Sequence, residues 1–356
     1  MKTISDYLKD YGKYTFLEKE FNEVDNVILS MLSYIDFYGI VPMIDCGSIT
    51  LKEASNLFYK KHDKKEINKQ LFSIRDASII LKDIASTNRF KDLELLNYEN
   101  QVTFETQFGA LCIKLPNKKM YVSYKGTDNY LSSWKEDFMM TYEFPIKAQK
   151  LAIEYLNMVV GIFGPKVYVG GHSKGGNLAL VASMYCHNHV YRKIKHVYNN
   201  DGPGLKEEEF NTNRYKRISY KYTHIVPNQS VFGILLKQPD NITVIKSTKK
   251  NFFQHNGFNW IVEDDHFKKD ELSKFSTKTK NAFDNWLNHS DYNSRKEFVD
   301  ILFSVLSKAG VTDLIDVKQN ALSNMIKIIK ETKNVSKENK VFLTNVLDDM
   351  RDGWKG

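Results

Sequence analysis

The chain has 356 residues, of which 42% are hydrophobic and 13% aromatic, enough for a packed core and against general disorder. A formal charge of +8, from 51 Lys and Arg against 43 Asp and Glu, raises nucleic acid and anionic membrane as partners. The lysines are scattered among acids, with no arginine-rich stripe or RNA-binding aromatic signature, which disfavours nucleic acid and leaves open a peripheral contact with an anionic membrane.

The first ten residues are charged throughout and lack the apolar run of a secretory signal. No later stretch is apolar for long enough to span a bilayer, so the expected location is the cytoplasm. Residues 1–95 read as helices packing on a core. Phe21, Val24, Val27, Ile28, Met31 and Leu32 recur at helical spacing over 20–34, and Leu51, Ala54, Leu57 and Phe58 do so over 50–61. A third helix is expected over 65–83. The three cysteines, Cys46, Cys112 and Cys186, sit in apolar runs without metal-type spacing and read as buried free thiols of a reducing compartment.

Residues 96–270 read as an α/β core. Segments 101–107 and 108–115 alternate at strand period and suggest a hairpin; 120–124 is a third strand, and 145–163 a helix. Strand 166–169 and helix 177–186 follow, then strands at 194–199, 215–222 and 241–246, with a short apolar segment at 230–236. A polar loop, 247–254, leads to His255. This alternation predicts a mostly parallel central sheet flanked by helices. Residues 271–356 are helical and lysine-rich. Phe298, Ile301, Leu302, Val305 and Leu306 share one face, as do Leu314, Val317, Leu322, Met325 and Ile328. The tail is expected to cap the core or to bind a protein partner.

The sequence Gly171-His172-Ser173-Lys174-Gly175, set between a short strand and a small-residue helix, is a G-x-S-x-G nucleophile elbow. A serine on so sharp a turn needs neighbours without Cβ, and the helix start aims N–H groups at the point where an oxyanion would form. A serine hydroxyl attacks only if a base takes its proton. His255 is the best-placed base, because it follows the last core strand and completes the order Ser…acid…His. His172 lies inside the elbow and is expected to pack beneath it. His62, His187, His189, His196, His266 and His289 read as structural or solvated. For the acid, Asp201 ends a strand before Gly-Pro-Gly, and equally reads as a turn residue.

Tyr124-Lys-Gly-Thr-Asp128 with Trp134 downstream, followed by a G-H-S-x-G-G elbow, resembles the class 3 lipase branch of the α/β-hydrolases. Phe21-Asn-Glu-Val-Asp25, Asp201-Gly-Pro-Gly204, Ser230-Val-Phe-Gly233 and Gln254-His255 with Trp260 further resemble an uncharacterised bacterial family of lipase-like proteins, over about residues 20–265. The resemblance implies an α/β-hydrolase fold with an oxyanion hole from the backbone N–H groups of Thr127 and Lys174. In that branch the acid precedes an Ile/Pro-Val-Pro segment, where this chain has His224-Ile-Val-Pro227. The acid is then Asp201, or Asp240, or lost. The Lys174 side chain is expected to reach solvent, and a lid to lie in 128–145 or in the C-terminal helices.

The expected activity is hydrolysis of a carboxylic ester or thioester, on a small-molecule or lipid substrate, through a Ser173 acyl-enzyme. No P-loop, HExxH or dinucleotide fingerprint is present, so no cofactor or metal is implied. The competing reading is a catalytically weak or inactive hydrolase-like protein that works as a binding or regulatory module through its C-terminal helices.

Overall fold

Eight strands lie side by side in sequence order in the computed structural model, which describes residues 1–308 apart from 71, 104 and 129, together with 336 and 341–346. They are β1 (Ser48–Thr50), β2 (Glu94–Val102), β3 (Gln107–Leu115), β4 (Lys119–Tyr124), β5 (Lys166–His172), β6 (Ile194–Asn200), β7 (Tyr222–Pro227) and β8 (Thr243–Ile245). β1 to β4 pair antiparallel, and β4 to β8 pair parallel. The C-terminal ends of the parallel strands therefore open on one edge. In such sheets that edge is where ligands sit.

Both faces of the sheet are covered, which is why the central strands are apolar along most of their length. On one face lie α1 (Ile4–Asp10), α2 (Glu23–Leu32), α3 (Leu51–Lys61), α4 (Lys64–Asn68) and α5 (Phe72–Ile84), sharing a core with Leu111, Ile113, Tyr121, Ile225 and Ile245. α6 (Leu131–Met139) crosses near the C-terminal edge. On the other face α7 (Lys147–Val160), α8 (Lys174–Tyr185), α9 (Asn188–Tyr191), α10 (Glu207–Phe210) and α11 (Asn213–Ile218) pack over Cys112, Val122, Val169 and Val197. α12 (Lys274–Asn288) and α13 (Tyr292–Lys308) build a separate cluster with α6, centred on Trp286, Phe298 and Leu302.

The N-terminal helices are fastened by buried polar groups as well as by apolar ones. Asn22 caps α2 by accepting from the Val24 and Asp25 N–H groups, and Asp25 returns to the Asn22 N–H. The Asp25 carboxylate then receives Arg89 Nε at 2.7 Å and the Tyr7 hydroxyl at 2.9 Å, out of contact with water. One residue on, Asn26 Nδ2 donates to Asn200 Oδ1 at 2.8 Å, Tyr121 donates to Asn26 Oδ1 at 2.6 Å, and Asn200 Nδ2 donates to Ser30 Oγ at 2.9 Å. Polar side chains buried in such a network need every partner they have, so α2 is locked in one position against the ends of β4 and β6.

Several expected elements are corrected. The strand expected over 215–222 is helix α11 and a tight turn, and β7 begins only at Tyr222. Thr212 caps that helix by accepting from the Tyr215 N–H, and Tyr215 and Ile218, three apart, bury one face. The helix expected over 65–83 is two, because Lys69 closes α4 by bonding back to the Glu66 and Ile67 carbonyls. The segment 230–236 forms turns and no regular element. Cys46 is exposed, while Cys112 and Cys186 are buried. The face predicted from Leu314 to Ile328 lies outside the described residues.

Candidate active site

Ser173 stands between β5 and α8 with φ 58° and ψ −134°, a conformation costly for a residue with a side chain. The flanking glycines permit it. A Cβ on Gly171 would lie 2.3 Å from the Gly175 backbone, and one on Gly175 would lie 2.1 Å from the Tyr124 carbonyl. The same crowding brings the 124–127 arm against the elbow, since a Cβ on Gly126 would sit 2.5 Å from the His172 carbonyl. Thr127 follows directly, and Lys174 is the first residue of α8, where N–H groups lack intrahelical acceptors.

Asp201 leaves the end of β6, next to β5, with φ 53°. Its carboxylate is fully buried and takes three donors. His255 Nδ1 lies 2.7 Å from Oδ2, while Oδ1 accepts from the Ser230 hydroxyl and, at 3.2 Å, from the Gly233 N–H. His255 arrives on a 3-10 turn, Asn251–His255, after β8. Burial raises the Asp201 carboxyl to about 7 and lowers His255. Each shift has the same cause, the cost of holding charge away from water, and it leaves the imidazole neutral and able to take a proton. Asp240 is exposed in the turn before β8. The structure thus pairs His255 with Asp201.

Residues 84–304 match the Mbeg1-like family. The chain belongs to that family. No curated protein matches it. The crystal structure of M37 lipase is similar at 16% identity, covering 58% of this chain and 68% of that one with a TM-score of 0.35. The Mbeg1-like match leaves out the Phe21 to Asp25 stretch that opens α2 and runs on through α12 and most of α13.

In this Mbeg1-like chain His172 does more than fill space under the elbow. Its Nε2 lies 2.5 Å from the His255 carbonyl, and its Nδ1 lies 2.8 Å from the Tyr34 hydroxyl. A carbonyl only accepts, so the proton is on Nε2 and Tyr34 donates to Nδ1. Burial keeps the ring neutral, lowered to about 3. His172→Phe removes the partner of the His255 carbonyl and leaves the Tyr34 hydroxyl only its 3.4 Å bond to the backbone carbonyl of residue 172. It is expected to cost about 1–3 kcal/mol in urea unfolding, mainly from the orphaned carbonyl.

Lys174 departs from expectation. Its side chain turns inward and is fully buried, with Nζ donating to the Gln107 carbonyl at 2.9 Å and to Glu136 at 3.1 Å, and with Asp137 at 3.8 Å. An ammonium so far from water holds its charge only with acids beside it. Asp137 in turn accepts from the Thr127 hydroxyl, and burial raises its carboxyl to about 7. His224, where an acid was expected, is buried in β7 beside Asn199 and lowered to about 3. The other histidines lie elsewhere: His196 bonds Thr223, His266 faces Asp265, and His289 reaches the Asn285 carbonyl.

Ser230, Gly233, Tyr34, Glu136 and Asp137 take part in this site without a role having been read for them. The paired Glu136-Asp137, ten residues after an elbow arm, was the available signal. Above His255 the site is covered. Phe232 lies 4.5 Å from the His255 ring and 5.4 Å from Trp134, between centroids, with Phe252 alongside. The hollow bounded by Asp201, Ser230, Phe232, Phe252 and His255 is too narrow for a water molecule.

Proposed function

We propose that this chain is a serine hydrolase of the lipase and esterase type, built as in the class 3 branch, acting on carboxylic esters or thioesters. The bond from His255 Nδ1 to Asp201, beside an elbow serine at positive φ, carries the reading. Ser173 Oγ attacks the acyl carbon while its proton passes to His255 Nε2. The Thr127 and Lys174 N–H groups hold the oxyanion, and Asp201 supports the imidazolium. Collapse expels the alcohol or thiol, which takes the proton from Nε2. Water then gives a proton to Nε2 as its oxygen bonds to the acyl carbon; collapse breaks the Ser173 ester, Oγ takes the proton back from Nε2, and the acid leaves.

The test is labelling with a fluorophosphonate, read by intact mass, on the wild type and on Ser173→Ala. A single adduct on the wild type and none on the variant is expected, with ester turnover lost in Ser173→Ala by about 10⁶-fold, the scale for a removed nucleophile. An adduct that survives the substitution defeats the assignment.

The covered hollow favours one further reading, a catalytically weak hydrolase-like protein acting through its C-terminal helices. Folded wild type and Phe232→Ala that both resist the probe would support it. A Phe232→Ala protein that labels faster than wild type would instead assign the covering to a side chain that swings aside for substrate.

A further inference from the structure

We propose that the edge of the sheet opposite Ser173 is a docking surface for an anionic lipid membrane. The parallel strands β4 to β8 all begin there. The stretches that lead into β4, β5, β6 and β7, 115–119, 155–166, 186–196 and 213–222, hold ten lysines and arginines and no aspartate or glutamate, against the exposed acids Glu154, just ahead of the second stretch, and Asp240, in the turn before β8. Elsewhere the chain mixes its charges, so this edge is where the net positive charge collects. Lys119 and Lys166 are register partners on β4 and β5. Lys166, Arg192 and Lys195 are exposed, with no acidic partner among the described residues.

An apolar tip stands in the middle of these cations. Gly161, at φ 50°, ends α7 and turns the next residues outward. Phe163 is 99% exposed, Ile162 66% and Met158 54%. Among the described residues, none of the core clusters includes these side chains. The loop that presents them is nevertheless held, because Lys193 Nζ donates to the Gly161 carbonyl at 3.0 Å and to the Ile162 carbonyl at 2.5 Å, and the Val167 N–H donates to the Lys193 carbonyl. Tyr220, 75% exposed, lies further along the same edge before β7. The Phe163 and Ile162 side chains on a fixed loop, with Met158 beside them at the end of α7 and lysines around, match an interface whose acyl layer lies beneath negative headgroups. Single-stranded nucleic acid fits less well, because it asks for aromatic faces on which bases stack, along a groove, and duplex, held by phosphate contacts, has no use for an apolar tip.

β5 is seven residues long, so the surface lies about 20 Å from Ser173 by strand rise. A membrane bound there leaves the candidate site facing away from the bilayer. This orientation is independent of whether Ser173 is catalytic.

The experiment is co-sedimentation of the full chain with phosphatidylcholine vesicles, with and without phosphatidylglycerol, at low and high salt. Binding is expected on the anionic vesicles alone and should weaken with salt. Lys166→Glu with Lys195→Glu should weaken it at least about tenfold, as should Ile162→Ser with Phe163→Ser. Unchanged melting temperatures would show that both double variants remain folded. Phe253→Ser with Lys249→Glu and Lys250→Glu, near His255, should bind as wild type. Equal binding to neutral vesicles, no binding to anionic ones, or loss only in the variant near His255 would overturn the proposal. So would a self-association in sedimentation velocity that Phe163→Ser abolishes, or binding to duplex DNA with none to vesicles.

Discussion

Asp201→Asn should lower kcat for ester hydrolysis on the order of 10⁴-fold with little change in KM, the scale at which a triad loses its acid. The reason is specific to the donors around this carboxylate. Its Oδ1 accepts from the Gly233 N–H and the Ser230 hydroxyl, and its Oδ2 faces His255 Nδ1. The Gly233 amide can only donate, so the asparagine carbonyl must turn toward it. The NH2 group then faces His255 and forces Nδ1 to accept, which puts the imidazole proton on Nε2, where the Ser173 proton would have to go. A base already protonated at the reacting nitrogen cannot assist attack. Asp240→Asn should leave turnover unchanged. Steady-state kinetics on both variants checks the pair, and a full loss in Asp240→Asn with an active Asp201→Asn would reverse the assignment.

Lys174→Met is expected to destabilise the protein by about 3–5 kcal/mol, because it removes the cation from a buried acid pair. Glu136 would keep its bonds from the Gln107 and Ala148 N–H groups but lose its counter-charge, with Asp137 next to it in the same low-dielectric space. The pH dependence follows from Asp137. Burial holds its carboxyl at about 7, above the ordinary 3.8, so the fold keeps that proton longer than the unfolded chain does. Its contribution to stability is therefore present at low pH and declines as pH rises from about 4 through 7. Without Lys174 the carboxyl moves higher still, and the loss should be larger at pH 8 than at pH 5. Urea unfolding at both pH values measures it. Adding Glu136→Gln should return part of the stability, as contacts within one network are not additive.

The elbow was legible because sterics dictate it: Gly171 and Gly175 stand where any Cβ would meet backbone at under 2.5 Å. The helices over 23–32 and 51–61 were legible because their apolar residues repeat at helical spacing. Asp201 was open because its partner comes from a turn over fifty residues later, and no local pattern says which acid that turn will meet. The sequence 215–222 satisfied both a strand and a helix pattern, and the Thr212 cap decided between them. The buried Lys174 could not be read locally, since a lysine in an exposed turn and a lysine sealed by two acids look alike along the chain. Its fate depends on where α6 lies.

The bond between Asn26 and Asn200 spans 174 positions of the chain, and this bears on synthesis. During translation α2 leaves the ribosome long before β4, β5 and β6 exist to receive its apolar face. Neighbouring strands can join in the order they emerge, since sheet order follows chain order, but the first helices must wait until past the middle of the chain, when β6 is complete, with Val27, Ile28 and Met31 not yet packed on the sheet. Long-separation contacts of this kind also slow refolding. The nascent N-terminal segment therefore exposes an apolar helix face until those strands arrive, and a fragment begun at the family boundary near residue 84 would emerge with one side of its sheet bare.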